Sequence, residues 1–210
     1  IKSLTQVIKL TTKIRKLTKD SKFPIMIDEE GETVSRLDRI INNNYSQKLF
    51  GDIYKHNPKI ALTIYINYID NLTALLKKIG ININTVPVLD VIRKKTHKII
   101  GSRSFSNDPG IVKKLGKISV KQYKINKLGT VIKHIPGHGC ASLDSHLETP
   151  KVKLTYNNLN KIDFFPFKSN PSYFAMTAHI LYSQIDKKNV ATFSKKIISQ
   201  IIRKKIGFKG

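Results

Sequence analysis

Cysteine and long apolar runs are what this chain of 210 residues most clearly lacks. Its single cysteine, Cys140, excludes a disulfide framework and a zinc site built from several thiolates. No apolar run approaches the roughly 18 residues that a membrane-spanning helix needs, and no signal peptide is visible. Because the sequence starts at Ile1 instead of Met and its last residues do not resemble the end of a domain, we expect a fragment lacking both ends. Hydrophobic residues make up 40% of it, enough for a folded core.

Acidic residues are also scarce, since 14 Asp and Glu face 38 Lys and Arg, for a formal net charge of +24. Such a charge is typical of proteins that bind nucleic acid or anionic membranes. The basic residues are nearly all lysines, however, and they occur in pairs along the whole chain: Lys77-Lys78, Lys113-Lys114, Lys195-Lys196 and Lys204-Lys205. A nucleic-acid surface usually concentrates its charge and interleaves arginine and aromatics. We therefore favour a solvated basic surface, with neither nucleic acid nor membrane as partner, over a basic nucleic-acid-binding module.

Helical and strand patterns alternate along the chain. Residues 1–19 predict an amphipathic helix with Leu4, Val7 or Ile8, Ile14 and Leu17 on its apolar side. Cap residues followed by helical spacing predict further helices over 57–80, 108–129 and 194–207. The second of these four helices should bury the stripe Ile60, Ile64, Tyr68, Leu72, Leu75, Leu76 and Ile79. The last should bury Ile197, Ile198, Ile201, Ile202 and Ile206. Short apolar runs predict strands at 23–27, 83–89, 130–132 and 174–178.

The predicted strands share a feature at their carboxyl ends, where each closes on polar or ionisable residues: Asp28, Asp90, Lys133-His134 and His179. Buried strands that alternate with helices indicate parallel βαβ units. No Gly-rich phosphate loop follows the first strand, which counts against a nucleotide-binding sheet. In a (β/α)₈ barrel the carboxyl ends of the strands converge on one mouth. We therefore predict an α/β chain in which residues 1–210 form one incomplete TIM-like barrel domain, with about four of the eight strands that a barrel requires.

Three stretches near these strand ends carry residues suited to chemistry. The first is Asp28-Glu29-Glu30, whose leading carboxylate can accept bonds from substrate hydroxyls, although a solvated loop is the plainer interpretation. The second contains Arg103, which presents a planar fork of donors suited to a polar ligand. The third, residues 133–146, holds three of the chain's six histidines. Their spacing fits no usual zinc site, so we expect no metal.

The third stretch ends in Asp144-Ser145-His146. In an extended segment, residues i and i+2 point the same way. The carboxylate can then bond one ring nitrogen of His146 and leave the other to exchange a proton with a substrate, which is the logic of acid/base catalysis. An Asp-x-His triplet alone is common, so this is a hypothesis.

Taken together, these stretches resemble glycoside hydrolase family 3, in its β-N-acetylhexosaminidase branch. The matching residues are Ile27 to Gly31, Val86 to Val91, Gly101 to Phe105, Lys133 to Gly139, Asp144 to His146 and Met176 to His179. The resemblance covers essentially the whole chain. It implies a retaining hydrolase that releases terminal β-linked N-acetylglucosamine from peptidoglycan-derived muropeptides, in the cytoplasm and without a cofactor. A carbohydrate is then the partner, and we expect a monomer.

The resemblance also implies roles for individual residues. His146 would be the general acid/base and Asp144 its orienting partner. The positions that match sugar-binding residues of the family are Asp28, Arg36, Arg103, Lys133 and His134, and His179 would line the same pocket.

Two departures from the family pattern stand out. Glu32 follows Gly31, where the family usually has a second glycine. The family's nucleophile, an aspartate, follows the segment that matches residues 207–210, so we can name no nucleophile here and expect these 210 residues alone to be inactive. The remaining alternatives are a family 3 β-glucosidase, which Asp144-Ser145-His146 disfavours, and a catalytically dead barrel that only binds glycans.

Overall fold

The computed structural model describes residues 1–142 and 149–210 as an α/β fold. Its helices are α1 (Leu4–Thr18), α2 (Gln47–His56), α3 (Pro58–Lys78), α4 (Pro109–Ile125), α5 (Tyr156–Lys161) and a C-terminal helix with π-type bonding (Ile197–Ile206). Its strands are β1 (Met26–Ile27), β2 (Ile83–Asn84), β3 (Gly129–Ile135), β4 (Lys151–Val152), β5 (Phe174–Thr177) and β6 (Leu181–Tyr182). No helix within the described residues is both long and apolar enough to cross a membrane.

The helix starts follow from side chains that satisfy the first free backbone N–H groups. Asn57 accepts a bond from the N–H of Ile60, and Pro58 occupies the first turn of α3. Asp108 caps α4 in the same way, and Ser194 accepts from the N–H of Ile197 at 3.0 Å. These three predicted starts are confirmed. At the far end of the last helix, Gly207 has φ of +81°, the left-handed conformation that glycine adopts without a steric penalty.

The buried face of α3 differs from the predicted one. The helix buries Ala61, Tyr65, Ile69, Leu72, Thr73 and Leu76, whereas Ile60 and Ile64 are 51% and 44% exposed. In the first half of α3 the buried residues lie one position after the predicted ones. Because successive residues are about 100° apart around a helix, the buried face is rotated by about that angle from the predicted face. The cause is the neighbouring element: Phe50 of α2 packs against Tyr65 with ring centroids 4.6 Å apart.

The prediction for the apolar side of α1 is also largely wrong, because Leu4, Ile8 and Leu17, which it placed there, are exposed. The helix is held by Val7, which is buried, and by Thr11, whose hydroxyl donates to the carbonyl of Ile79 at 2.9 Å. In the last helix, Ile197, Ile201, Ile202 and Ile206 are buried as predicted, while Ile198 is only partly buried.

The four predicted strands form one parallel sheet in the order β1-β2-β3-β5. Met26 pairs with Ile83, Ile83 with Gly129, and Lys133 with Met176. The α/β class and the four-stranded part of a barrel are therefore confirmed. The second strand is shorter than predicted, Ile83–Asn84 instead of 83–89, because Pro87 has no N–H to donate to a sheet. Pairing resumes at Val88, which bridges Lys133.

The sheet register decides which face carries the ionisable residues. Partners in neighbouring strands point to the same face, and alternate residues of one strand do so as well. Lys133 therefore shares a face with Met26, Phe174 and Met176. Those three side chains are exposed, whereas Lys133 is buried. The opposite face packs against the helices and contributes Ile27 and Ile132 to the core.

Candidate active site

Lys133 is the centre of the ionisable cluster at the carboxyl edge of the sheet. Its side chain is 2% exposed, and its ammonium lies 2.5 Å from Oε1 of Glu30 and 3.0 Å from Oδ1 of Asp28. It also donates to the hydroxyl of Thr85 at 3.0 Å. All three of its N–H donors thus have partners on the ends of other strands. A buried charge persists only when it is paired and hydrogen-bonded in this way.

Glu30 links Lys133 to the arginine predicted from the second stretch. The Nε of Arg103 lies 2.8 Å from Oε2 of Glu30, and its Nη2 donates to Oε1 at 3.0 Å, a bidentate pair. Burial by itself would raise the pKa of Glu30. The bonds and charges of Arg103 and Lys133 outweigh burial and hold this pKa below its ordinary value of 4.5. Glu30 is therefore a carboxylate that fixes two cations.

Asp28 stands at the open side of the cluster, with a side chain that is 37% exposed. Its Oδ1 accepts from Lys133 and from the hydroxyl of Thr85, and its Oδ2 lies 3.9 Å from Nη2 of Arg36. Burial would raise the pKa of Asp28, but Thr85, Lys133 and Arg36 together lower it. Asp28 thus remains ionised with an oxygen toward the opening, while Arg36 itself is mostly exposed.

A second buried carboxylate orients the predicted His134. Oδ2 of Asp90 lies 2.6 Å from Nδ1 of His134, and Oδ1 accepts from the backbone N–H of His138, also at 2.6 Å. Burial would raise the pKa of Asp90, but His134 and His138 lower it. Because an ionised Asp90 only accepts, Nδ1 of His134 carries the proton. Nε2 then faces Arg103, whose Nη2 is 3.5 Å away.

These side chains border two adjoining cavities of about 390 Å³ and 270 Å³. Asp28, Glu30, Arg36 and Lys133 line the larger one, His138 and His179 line the smaller, and Arg103 and His134 border both. A wider hollow of about 760 Å³ beyond Asp28 lies beside β1 and the start of α1, and contains little of this cluster. The two adjoining cavities, in the size range of small-ligand sites, are the candidate active site.

His179 occupies the outer edge of the smaller cavity. Its Nδ1 lies 2.9 Å from the hydroxyl of Thr192, and its ring makes an edge contact with Phe193 at 5.6 Å. On the inner side, His138 has its pKa lowered by burial, with Asp90 opposing and His134 adding to the shift. The cavity is thus bordered by three imidazoles in different surroundings.

The structure brings together six of the predicted site residues: Asp28, Arg36, Arg103, Lys133, His134 and His179. The predicted acid/base residue His146 and its partner Asp144 lie outside the described residues. Sequence reasoning missed Glu30, Asp90 and Thr85. Glu30 was visible in the acidic triplet and Asp90 at a strand end, but nothing in the sequence showed that they bind the cations. No cluster of three His, Cys, Asp or Glu residues in the described part of the chain could hold a metal ion.

Comparison with known proteins identifies relatives of this chain. The model of the glycosyl hydrolase family 3 N-terminal domain matches residues 2–210. A beta-hexosaminidase from Nitrosomonas eutropha is 32% identical over 213 residues, which are 99% of this chain and 60% of that protein. Beta-hexosaminidase A from Pseudoalteromonas piscicida is 31% identical, over 100% of this chain and 38% of its own length. The chain therefore spans less than two thirds of either relative.

Solved structures give the same picture. NagZ from Neisseria gonorrhoeae superimposes with a TM-score of 0.90 at 31% identity, over 99% of this chain and 60% of that protein. Its complex with N-trifluoroacetyl-D-glucosamine gives the same TM-score and identity. A family 3 beta-N-acetylglucosaminidase from Paenibacillus matches with a TM-score of 0.88 at 26% identity, over 99% of this chain and 40% of that protein.

Proposed function

The chain belongs to glycosyl hydrolase family 3, and we propose that it is part of a retaining β-N-acetylhexosaminidase that releases terminal β-linked N-acetylglucosamine from peptidoglycan-derived muropeptides. One observation carries the proposal: Asp28 after β1, Arg103 in the loop before α4, and Lys133 and His134 of β3 all line one cavity. The names of the relatives and the glucosamine derivative bound by one of them support the sugar. On the same analogy we propose a cytoplasmic, monomeric enzyme that acts in cell-wall recycling.

The proposed sugar contacts follow from which donors and acceptors remain available. Oδ2 of Asp28, whose other oxygen accepts from Lys133 and Thr85, accepts from a sugar hydroxyl. Arg103 donates to another through the one N–H that Glu30, the carbonyl of Ile99 and His134 leave available. Nε2 of His134 points to the same space. Lys133 has no spare donor in this arrangement, so its first role is to hold Asp28 and Glu30 in place, and it contacts sugar only by exchanging a partner.

The proposed reaction uses His146 as the proton carrier. In the first step protonated His146 donates its proton to the glycosidic oxygen, the carboxylate nucleophile forms a bond to the anomeric carbon, and the leaving group departs. In the second step the neutral imidazole takes a proton from a water molecule whose oxygen attacks the anomeric carbon, and the bond between sugar and nucleophile breaks. Asp144 holds the ring orientation. This replaces the carboxylic acid of most retaining glycosidases with an imidazole. By the family resemblance, the nucleophile is an aspartate that follows Gly210.

The test uses the full-length protein, which includes the strand after Gly210. We expect release of chromophore from an aryl β-N-acetylglucosaminide at least tenfold faster than from the matching glucoside. His146→Ala should lower kcat at least a hundredfold, within the range for general acid/base groups, with an unchanged circular dichroism spectrum. His56→Ala, at the exposed end of α2, is the control. Unchanged turnover by His146→Ala would remove the proposed acid/base, and preference for the glucoside would favour a β-glucosidase.

A further inference from the structure

A basic loop, residues 93–98, reaches the wall of the candidate active site at Lys98. It contains Arg93, Lys94, Lys95, His97 and Lys98, and no acidic residue. The three lysines are exposed, and none of them pairs with a carboxylate of the described residues. The loop therefore carries three positive charges without an ion pair among the described residues, and Lys98 places one of them at the cavity.

The backbone of this basic loop is fixed from two sides. Its Thr96 hydroxyl donates to the carbonyl of Gly139, and the N–H of His97 donates to the carbonyl of Ala141 at 3.0 Å. The guanidinium of Arg93 makes a bidentate pair with the buried carboxylate of Asp163. Because the backbone of the loop is already ordered, binding a ligand there has to order only the lysine side chains.

The basic loop is also continuous with the proposed sugar site. Lys98 lines the 390 Å³ cavity together with Arg103. The adjoining carbonyl of Ile99 accepts from Nη1 of Arg103 at 3.0 Å. On its other side the loop bonds to residues 139 and 141, which precede Asp144 and His146 in the chain. An acid/base group of a glycosidase acts at the glycosidic oxygen, so the leaving group lies on its side of the sugar. The basic loop therefore joins the wall of the larger cavity to the stretch that leads along the chain to the predicted acid/base pair.

The charges around this cavity determine what kind of leaving group fits. Glu30 and Asp90 are buried and bound to cations, and Asp28 lies between Lys133 and Arg36. Glu32, an exposed carboxylate nearby, accepts a bond from the hydroxyl of Ser102. With Asp28 balanced in this way, Lys98 on the cavity wall offsets Glu32, and Lys94 and Lys95 add two positive charges in the same loop. The outer part of the site is therefore positive.

We propose that the basic loop is the leaving-group subsite and that Lys98, supported by Lys94 and Lys95, selects leaving groups that carry a carboxylate. The inference rests on the proposed function, since a leaving group exists only if the chain hydrolyses a glycoside. The other lysine pairs of the chain do not share this position. Lys77 and Lys78, for example, lie at the exposed end of α3 and line neither cavity.

The test compares two substrates that differ only in charge, using the full-length protein. One is N-acetylglucosamine β-linked to N-acetylmuramic acid, with its free carboxylate, and the other is the methylamide of the same disaccharide. We expect wild type to prefer the acid several-fold in kcat/KM at low salt, and the preference to shrink at 0.5 M salt through screening. Lys98→Gln should lower kcat/KM for the acid about two- to fivefold, as for an exposed charge pair, and leave the amide unchanged.

Two controls test whether the effect of Lys98→Gln is confined to leaving-group binding. The first excludes an effect on sugar binding, and the second excludes an effect of the protein's overall charge. Inhibition by free N-acetylglucosamine should be unchanged in Lys98→Gln, because that sugar does not reach the leaving-group side. Lys77→Gln removes the same charge elsewhere and should leave the acid-to-amide ratio as in wild type. If wild type hydrolyses the acid and the amide with equal kcat/KM, or if Lys98→Gln lowers kcat/KM equally for both, the inference about the basic loop is wrong and the proposed function still stands. Failure to hydrolyse either substrate overturns the proposed function as well.

Discussion

Glu30 is the residue on which the two cations of the candidate site depend. Lys133 lies in β3 and Arg103 in the loop before α4, and both contact its carboxylate, at 2.5 Å and at 2.8 and 3.0 Å. Removing one partner from a buried ionic group costs more than the pair contributes, because the remaining charges keep their desolvation penalty. An acidic triplet in a sequence predicts a solvated loop more readily than this arrangement. The contact explains why Glu30 is buried although no sugar-binding role was predicted for it.

Glu30→Gln tests this role through the pH dependence of stability. The pKa of Glu30 is lower in the folded protein than its ordinary value of 4.5. Its contribution to stability is therefore complete above that value and is lost as the pH falls through 4.5 toward the folded pKa. We expect Glu30→Gln to lower the free energy of unfolding by about 3 kcal/mol at pH 6, and the difference from wild type to shrink at pH 3. Urea denaturation of the full-length protein measures both.

The control for this experiment is Glu32→Gln in the adjacent turn. Glu32 is exposed and accepts one side-chain bond, from Ser102, so its loss should change stability little at either pH. A difference between wild type and Glu30→Gln that is the same at pH 6 and pH 3 would show that Glu30 is not held as a carboxylate.

At the scale of whole elements, α2 is a helix that the sequence analysis did not predict, although Ser46 caps its start by accepting from the N–H of Leu49. It has ten residues and a glycine near its middle, Gly51. Isolated helices of this length are marginal, and glycine weakens them further. Its first residue, Gln47, is buried and donates to the carbonyls of Val88 and Arg103. The helix therefore forms because it is docked on the loops of the site.

Gly51→Ala tests whether close approach stabilises this docking. Alanine favours a helix over glycine by about 1 kcal/mol. A Cβ at position 51, however, would lie 1.8 Å from the carbonyl oxygen of Phe105, and that backbone atom cannot yield easily. We expect the substitution to lower the free energy of unfolding by about 1–3 kcal/mol, the usual cost of overpacking. An increase in thermal stability would mean that α2 can shift away from the loop at no cost.

The end of α4 offers a matched pair of glycine substitutions. Lys127 follows the helix with φ of +59°, and the N–H of Leu128 closes the helix end on the carbonyl of Tyr123 at 2.9 Å. A lysine in this left-handed conformation costs about 1 kcal/mol relative to glycine. Lys127→Gly should therefore raise the free energy of unfolding by about 0.5–1 kcal/mol. Lys121→Gly, at an exposed position inside α4, should lower it by about 1 kcal/mol. Changes of the same sign in both variants would contradict the assigned helix end.

At the scale of the whole molecule, the charge of +24 is the feature most open to misinterpretation. The lysines lie on outer surfaces of several helices, for instance Lys77 and Lys78 at the end of α3 and Lys204 and Lys205 in the last helix. Charge distributed over a surface neutralises few phosphates of one duplex at a time. Counterion release, the source of salt-dependent affinity for DNA, should then be small.

Binding to a random DNA duplex tests this interpretation. We expect a Kd weaker than about 100 μM at 0.15 M salt, at the weak end of non-specific binding. We also expect the logarithm of the binding constant to fall against the logarithm of the salt concentration with a slope of magnitude about 3 or less. Such a slope corresponds to roughly three neutralised phosphates. Fluorescence anisotropy with a labelled duplex measures both. A Kd of about 1 μM at this salt, with a slope steeper than about 6, would instead favour the nucleic-acid-binding alternative.

Much of the architecture was open to sequence reasoning because it depends on local chemistry. The side chains of Asn57, Asp108 and Ser194 satisfy backbone groups next to them, so three helix starts were predictable. Apolar runs that end in polar residues marked four strands, and the parallel sheet placed Asp28, Lys133, His134 and His179 at one edge. The family motifs supplied the proposed acid/base pair Asp144 and His146, whose roles stay predictions.

Only the tertiary structure decided which side chains face which partners. The rotation of α3, the docking of α2 and the exposure of Leu17 on α1 depend on neighbouring elements far away in the chain. Glu30 is separated from Arg103 by 73 residues, and Asp90 from His134 by 44. Periodicity determines that a helix or strand forms, since it reflects spacing along one element. The pairing of buried charges depends instead on the distances between elements, and those arise only when the chain packs.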